Sequence, residues 1–158
     1  MSTTAIQRLV AERLNADFGI YLSDVRQLAE RQSPWQHIEV FENPQFGRVM
    51  RIDGCFMTSE RDEFFYHEPM IHLPAITHGD VRQALVVGGG DGGAAHNLLR
   101  YPQMQRVVLA ELDREVIDMA RQWLPAVHRG AFDDPRFTLR VGDAREFIAS
   151  PPEPFDQI

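Results

Sequence analysis

The sequence predicts an α/β protein in which an antiparallel β-hairpin region is followed by an open parallel sheet. From Gly19 to about Ser59 the apolar residues tend to recur at every second position, as they do in half-buried strands. From residue 80 onward, short apolar runs alternate with helical segments, which is the order of a parallel sheet with right-handed crossovers. We therefore expect two domains, residues 1–79 and residues 80–158.

The first region is predicted to be built from hairpins with flanking helices. The segment 42–47 supplies turn residues, and Asp53-Gly54 is typical of a tight turn between two antiparallel strands. The predicted elements are a helix over 4–15, strands over 37–41 and 48–52, and a helix over 61–73.

The second region reads as three strand–helix pairs and the beginning of a fourth strand. The predicted strands cover 81–87, 106–112 and 136–141, the helices cover 92–100, 115–123 and 144–149, and a further strand opens at 155–158. Open sheets of this kind usually have more strands than these, so we expect the sheet to be incomplete at its carboxyl-terminal side.

Composition excludes several classes of protein. Of the 158 residues, 44% are apolar and 25% charged, as in ordinary globular proteins, and no run is long enough to span a membrane. The net charge of −7 disfavours nucleic acid as a partner and is compatible with a cationic ligand. The amino terminus lacks the apolar core of a signal peptide, which indicates a cytoplasmic protein. The single cysteine, Cys55, excludes an intramolecular disulfide and is expected to be a small buried apolar residue.

The cluster Gly88-Gly89-Gly90-Asp91-Gly92-Gly93 lies between a predicted strand and a predicted helix. Glycines such as Gly88 and Gly90 allow a tight turn and let a ligand approach the main chain, although a purely structural turn is the alternative. Asp91 argues against a phosphate at this helix start, because its carboxylate would repel an anion. It suits a ligand that carries an ammonium group, or it caps the helix, and both roles can hold together.

Two further carboxylates follow the next two strands. Glu111 lies 23 residues after Gly88, the spacing at which an acidic residue accepts hydrogen bonds from ribose hydroxyls. Asp113 falls on the same face and competes for that role. Asp143 follows the third strand, where it either accepts a hydrogen bond from an adenine amine or caps the next helix.

Together these segments resemble the spermidine synthase (polyamine aminopropyltransferase) family. The most specific match is residues 60–68, which read Glu-Arg-Asp-Glu-Phe-Phe-Tyr-His-Glu, since general nucleotide-binding proteins have no equivalent there. The other matching segments are residues 35–38, 52–54, 88–93, 111–113, 133–136 and 142–144. The resemblance implies a Rossmann-like, methyltransferase-type sheet, of which residues 80–158 are the first, nucleoside-binding half.

The resemblance also implies a reaction. Decarboxylated S-adenosylmethionine is the cosubstrate, a diamine such as putrescine is the acceptor, and spermidine and methylthioadenosine are the products, with no tightly bound cofactor and no metal. The adenosyl part is then held by Gln36, Glu111, Asp143 and Ala144. His67 and Asp91 contact the amine, and Tyr66 lies beside the reacting nitrogen as an auxiliary catalytic residue. The alternative for Tyr66 and His67 is packing within an amphipathic helix.

The sequence departs from the family pattern at two places. Met57 stands where many members carry glutamine, on the strand before the segment 60–68. The main catalytic aspartate of the family is expected a few residues beyond Ile158, so we expect this chain alone to be inactive. An S-adenosylmethionine-dependent methyltransferase and a non-catalytic nucleoside-binding fragment are the competing hypotheses. We also expect a homo-oligomer, a dimer or tetramer, because a half-built sheet leaves an open edge.

Overall fold

The computed structural model describes residues 8–149 and 154–158. Internal contacts divide the chain into two compact units, Met1–Arg61 and Asp62–Ile158. The division into residues 1–79 and 80–158 stays a proposal about which segments act as domains. Among the described residues, no helix combines the length and the apolar character that crossing a membrane requires.

The described part of the first unit, residues 8–61, contains β-strands and no helix. A two-stranded antiparallel sheet pairs β1 (Val10–Arg13) with β2 (Gly19–Leu22). A four-stranded antiparallel sheet follows in simple chain order: β3 (Arg26–Gln32), β4 (His37–Asn43), β5 (Gly47–Ile52) and β6 (Cys55–Ser59). Val10, Val25 and Phe41 form a buried cluster within this unit.

The turns of this sheet follow from local side-chain chemistry. Asp53 and Gly54 both have positive φ, 50° and 83°, which is the backbone of the two-residue hairpin turn that the sequence predicts. In the preceding turn the Asn43 side chain accepts hydrogen bonds from the backbone N–H groups of Gln45 and Phe46, at 2.9 and 3.1 Å. The strand predictions over 37–41 and 48–52 are therefore confirmed.

Two predictions for the first unit are wrong. The helix predicted over 4–15 is a strand where it is described, because Val10–Arg13 pairs with Gly19–Leu22 and the Asn15 side chain closes the connecting turn; residues 4–7 lie outside the described part. Cys55 is exposed rather than buried, because it is the first residue after the hairpin turn at the corner of the sheet.

The second unit is α/β and begins with α1 (Phe64–His78). The helix begins and ends later than the predicted 61–73. It continues through Pro74, and the chain leaves the helix only at Gly79, where φ is 89°. His67, Ile71 and Ala75, spaced four residues apart, form its buried face.

Among the described residues of the second unit, a sheet is formed by three parallel strands, in the order β7 (Gln83–Val87), β8 (Arg106–Glu111) and β9 (Phe137–Val141). The helices between and after them are α2 (Gly93–Leu99), α3 (Arg114–Trp123), the short α4 (Pro125–His128) and α5 (Ala144–Ala149). This is the predicted fold class, with strand and helix bounds close to those predicted.

The predicted fourth strand is present only as a short bridge. Gln157 pairs in parallel with Ala84 on the free edge of β7, and the Leu85 N–H donates to the Gln157 carbonyl at 2.9 Å. β7 is thus flanked by β8 on one side and by the segment at Gln157 on the other. On one face, Leu85, Val108 and Ala110 pack against Ala144, Phe147 and Phe155.

Candidate active site

The candidate site lies at the carboxyl edge of the parallel sheet. The glycine loop Gly88–Gly93 leaves β7 there, Glu111 ends β8, and Asp143 follows β9. Because the three strands are parallel and adjacent, their carboxyl ends meet at one edge. The topology therefore brings together three of the features that the sequence singled out.

The glycine loop has a backbone that other residues rarely adopt. Gly88, Gly89 and Gly92 have φ values of 75°, 73° and 80°, in the left-handed region that favours glycine. At Gly90 the limit is space instead, since an added Cβ would lie 2.8 Å from Val116 Cγ1 and 3.0 Å from Glu111 Oε2. The loop is thus packed closely against the end of β8 and the start of α3.

Asp91 makes two contacts through one oxygen. Its Oδ1 accepts a hydrogen bond from the Gly93 N–H at 2.7 Å, at the start of α2, and lies 3.4 Å from His67 Nε2. Its other oxygen, Oδ2, has no hydrogen-bond partner within residues 8–149 and 154–158, and the side chain is 14% exposed. Asp91 therefore contacts the start of α2 through Oδ1, and Oδ2 is left without a partner in the described part of the chain.

Glu111 is buried, with both oxygens directed at backbone N–H groups. Oε2 accepts from Gly90 at 3.2 Å and Oε1 accepts from Asp113 at 3.0 Å. Burial raises the pKa of Glu111 above its usual value, although these backbone donors act in the opposite direction. Glu111 thus connects the end of β8 to the glycine loop.

The structure separates Glu111 from its competitor. Asp113 is buried and caps α3, because its side chain accepts from the Glu115 N–H at 3.0 Å. Glu111 instead contacts the glycine loop through Gly90, so the two carboxylates have different partners, while the ribose role of either stays a prediction. Spacing along the chain could not make this distinction.

Asp143 and Ala144 lie at the start of α5. The Asp143 carboxylate accepts from the Arg145 backbone N–H at 2.8 Å and pairs with the Arg145 guanidinium at 2.6 Å. This hydrogen bonding from Arg145 holds the pKa of Asp143 below its usual range. The helix-start role that the sequence offered for Asp143 is therefore present, and its adenine role stays a prediction.

His67 lies buried on α1 between two carboxylates. Its Nδ1 is 2.7 Å from Glu63 Oε2, and its Nε2 faces Asp91. Tyr66 is 64% exposed, and its ring makes an edge contact with the His67 ring at 5.3 Å between centroids. His67 and Asp91, to which the family resemblance assigns one function, are thus neighbours, whereas Tyr66 is open to solvent.

Gln36 and Met57 belong to the first unit. Gln36 is half-buried in the turn between β3 and β4, where its N–H donates to the Ser33 hydroxyl at 3.0 Å. Met57 is a 49% exposed residue of β6. Their roles towards a ligand stay predictions.

Two residues of the site were missed by sequence reasoning. Glu63 is buried beside His67, and Arg129 pairs with Glu63 at 3.2 Å. The four-residue spacing between Glu63, immediately before α1, and His67, on its first turn, was a usable signal. No such signal marks Arg129, because it follows α4 and is far from Glu63 in the chain. Over the described ranges, no group of three or more His, Cys, Asp or Glu residues is arranged to hold a metal ion.

Apolar side chains surround the carboxyl edge of the sheet. Val87, Leu112 and Val141 are 51%, 41% and 50% exposed, each at or just after the end of a strand. Exposed apolar residues at a strand terminus can cover a flat aromatic ligand. The edge therefore combines buried carboxylates with an apolar surface.

Comparison with known proteins gives consistent matches along the chain. Residues 63–158 match the model of the spermine/spermidine synthase domain, and residues 13–60 match that of the spermidine synthase tetramerisation domain. The polyamine aminopropyltransferase of Nitrosomonas europaea is 72% identical over 147 residues, which are 93% of this chain and 45% of that protein. The enzyme of the same name from Yersinia pestis is 42% identical, over 93% of this chain and 50% of that protein.

Solved structures of spermidine synthases also match this chain. Spermidine synthase from Thermotoga maritima superposes with a TM-score of 0.85 at 35% identity, covering 89% of this chain and 50% of that one. A spermidine synthase in complex with the transition state analogue AdoDATO gives the same TM-score and identity, over 49% of its length. The chain spans about half the length of the relatives it matches.

Proposed function

The chain belongs to the spermine/spermidine synthase family, and from that premise we propose that its site serves aminopropyl transfer. In this reaction decarboxylated S-adenosylmethionine gives its aminopropyl group to putrescine or a similar amine. The amine nitrogen attacks the carbon bonded to the sulfonium, the C–S bond breaks, and the sulfur keeps the electron pair. Spermidine and methylthioadenosine result, and the proton of the attacking nitrogen passes to a base.

The observation that carries the proposal is the carboxylate of Asp91 at the centre of the glycine loop. A loop that binds dinucleotides places a pyrophosphate at this helix start. Here the carboxylate of Asp91 lies at that helix start, and its Oδ2 has no hydrogen-bond partner among the described residues. An anion would be repelled there, whereas the primary ammonium of an aminopropyl group would form a charge-assisted hydrogen bond.

The remaining roles follow from the same placement. Glu111 would accept from the ribose hydroxyls, Asp143 and the backbone at Ala144 would contact the adenine amine, and Gly88 and Gly90 would let the ligand approach the main chain. The apolar residues Val87, Leu112 and Val141 support a purine at this edge. The base that the family pattern puts beyond Ile158 stays a prediction, as does the auxiliary role of Tyr66.

We also propose that the protein self-associates through its first unit, as a dimer or tetramer. The support is the match of residues 13–60 to a tetramerisation domain. The hairpin β1–β2 also exposes Phe18 and Tyr21, at 58% and 64%. A cytoplasmic location stays a prediction from the amino-terminal sequence.

Calorimetry with two cosubstrates tests the function against the methyltransferase alternative. Decarboxylated S-adenosylmethionine and S-adenosylmethionine differ by one carboxylate, next to the ammonium that Asp91 is proposed to bind. We expect the decarboxylated form to bind the chain about tenfold more tightly, because the extra carboxylate meets Asp91. Tighter binding of S-adenosylmethionine would overturn the proposal in favour of methyl transfer.

A further inference from the structure

Glu63 is a buried carboxylate to which the proposed reaction gives no role. It immediately precedes α1, and its side chain is 4% exposed. Its Oε2 lies 2.7 Å from His67 Nδ1, one helical turn further along. Its Oε1 lies 3.2 Å from Arg129 Nη2. Both oxygens of Glu63 are therefore occupied by donors.

His67 has a carboxylate on each side of its ring. While Nδ1 faces Glu63, Nε2 lies 3.4 Å from Asp91 Oδ1. An ionised carboxylate only accepts hydrogen bonds, and a neutral imidazole has only one N–H to donate. With a neutral ring, one nitrogen lone pair would face a carboxylate oxygen. The imidazolium is the form that satisfies both contacts.

The charges around His67 agree with this form. Burial acts to lower the pKa of His67, but the carboxylates of Asp91 and Glu63 outweigh it and place the pKa above its ordinary value. Arg129 supplies the second positive charge, so that two cations face two anions. The nearby His96 and His128 have pKa values lowered by burial, and for His96 by Arg129 as well, so they add no further positive charge at neutral pH.

Gly93 fixes the ring against the glycine loop. A Cβ at this position would lie 2.2 Å from His67 Cε1, so only glycine lets the imidazole approach the backbone. The Gly93 N–H donates to the same Asp91 Oδ1 that faces His67. The Gly93 N–H therefore hydrogen-bonds to Oδ1, the His67 ring lies beside the same oxygen, and Oδ2 has no hydrogen-bond partner among the described residues.

We propose that Glu63 is a positioning residue, which keeps His67 as an imidazolium that orients the Asp91 carboxylate. The order of contacts is Arg129, Glu63, His67 and Asp91. Glu63 touches no ligand in this arrangement and acts through His67. The proposal rests on the proposed function only for the identity of the cation that Asp91 receives.

Nitrogen-15 NMR of the histidine side chains in the 158-residue chain tests the first half of this proposal. We expect both ring nitrogens of His67 to be protonated at neutral pH, with a titration midpoint above the ordinary value of about 6.5. In Glu63→Gln the amide still accepts from Nδ1 but carries no charge, so the midpoint should fall by about one pH unit or more.

The matched control is Glu68→Gln on the same helix. Glu68 is 51% exposed and faces Arg100, so its loss should leave the His67 midpoint unchanged. A neutral His67 at pH 7 in the unsubstituted chain would overturn the proposal, and this measurement needs no variant to fold. An unchanged midpoint in a folded Glu63→Gln variant would also overturn it.

The second half is tested by binding. Glu63→Gln should weaken decarboxylated S-adenosylmethionine about fivefold or more and leave methylthioadenosine nearly unchanged, because only the first ligand carries the ammonium. Equal losses for the two ligands would show that Glu63 supports the fold and does not position Asp91. If the unsubstituted chain bound no decarboxylated S-adenosylmethionine, the proposed function would fail, while the NMR result would still decide the state of His67.

Discussion

Glu111 illustrates how one residue can hold a loop and still serve a ligand. Its two oxygens accept from Gly90 and Asp113, and an ionised carboxylate has about four lone-pair positions, so a further donor can be accommodated. A ribose hydroxyl at the carboxyl edge of the sheet could donate to one of these without displacing the backbone donors. The residue is therefore structural before a ligand arrives and is proposed to bind the nucleoside afterwards.

Replacing Glu111 by Gln should weaken methylthioadenosine binding by about 1.5–3 kcal/mol, the value of a charge-assisted hydrogen bond. The amide also puts an N–H₂ group against one of the two backbone N–H groups, which disturbs the loop. Calorimetry on the two proteins checks the affinity. The control is Glu115→Gln, on the first turn of α3, which should bind as the unsubstituted chain does. Equal affinities for Glu111→Gln and the unsubstituted chain would contradict the ribose role.

At the scale of elements, the glycine loop is held by two separable constraints. Gly88 and Gly92 share a positive φ, but an added Cβ at Gly88 meets nothing within 4 Å. At Gly92 it would lie 2.6 Å from Phe132 Cζ and 2.7 Å from His128 Cβ. A substitution at Gly88 therefore tests backbone strain alone, and a substitution at Gly92 tests backbone strain together with steric crowding.

We expect Gly88→Ala to lower the free energy of unfolding by about 1–2 kcal/mol through left-handed strain. Gly92→Ala should cost about 1–3 kcal/mol more, because the methyl group overpacks the site between the loop and Phe132. Urea denaturation of both variants gives the difference. Equal losses would mean that the neighbours of Gly92 move aside freely.

Elements with an unambiguous local signal could be predicted from the sequence, and those whose apolar spacing fits two structures could not. The hairpin turn at Asp53-Gly54 was predicted because a two-residue hairpin turn requires positive φ at both positions, which Asp and Gly tolerate. The strand Val10–Arg13 was mistaken for a helix, because its partner Gly19–Leu22 overrides an apolar spacing that also fits a helix. The helix α1 extends beyond the predicted end at residue 73, and Ala75 in this extension is buried.

The candidate site, too, could be predicted only where a local sequence signal exists. The glycine loop, Asp91 and Glu111 have a fixed spacing that reflects the order of strand and helix. The contact between His67 and Asp91 joins residues of two different elements, and it entered the sequence interpretation only through the family resemblance. Arg129 reaches Glu63 across 66 positions, and no local pattern reveals such a contact.

For the whole molecule, the first unit is proposed to make the contacts between copies. A two-stranded hairpin is marginal by itself, and exposed apolar residues on it favour burial against another chain. Tyr21, opposite Ala11 in the hairpin, is 64% exposed. A charge at this position should not disturb the strand pairing directly but should oppose burial.

Sedimentation of the purified chain should therefore show a dimer or tetramer at micromolar concentration, and Tyr21→Glu should shift it towards the monomer. Gln45→Glu is the matched control, since it adds the same charge to the same unit at an exposed turn and should leave the assembly intact. A compact monomer for the unsubstituted chain would refute self-association.

The central claim is that the acidic glycine loop receives a cation, and Asp91→Asn tests it most directly. Calorimetry should compare decarboxylated S-adenosylmethionine with methylthioadenosine, which shares the nucleoside and lacks the ammonium. The asparagine still accepts from the Gly93 N–H, so the start of α2 is retained. We predict that the variant loses about tenfold or more in affinity for the first ligand and much less for the second. Equal losses for both ligands would contradict the claim and leave Asp91 as a helix-capping residue.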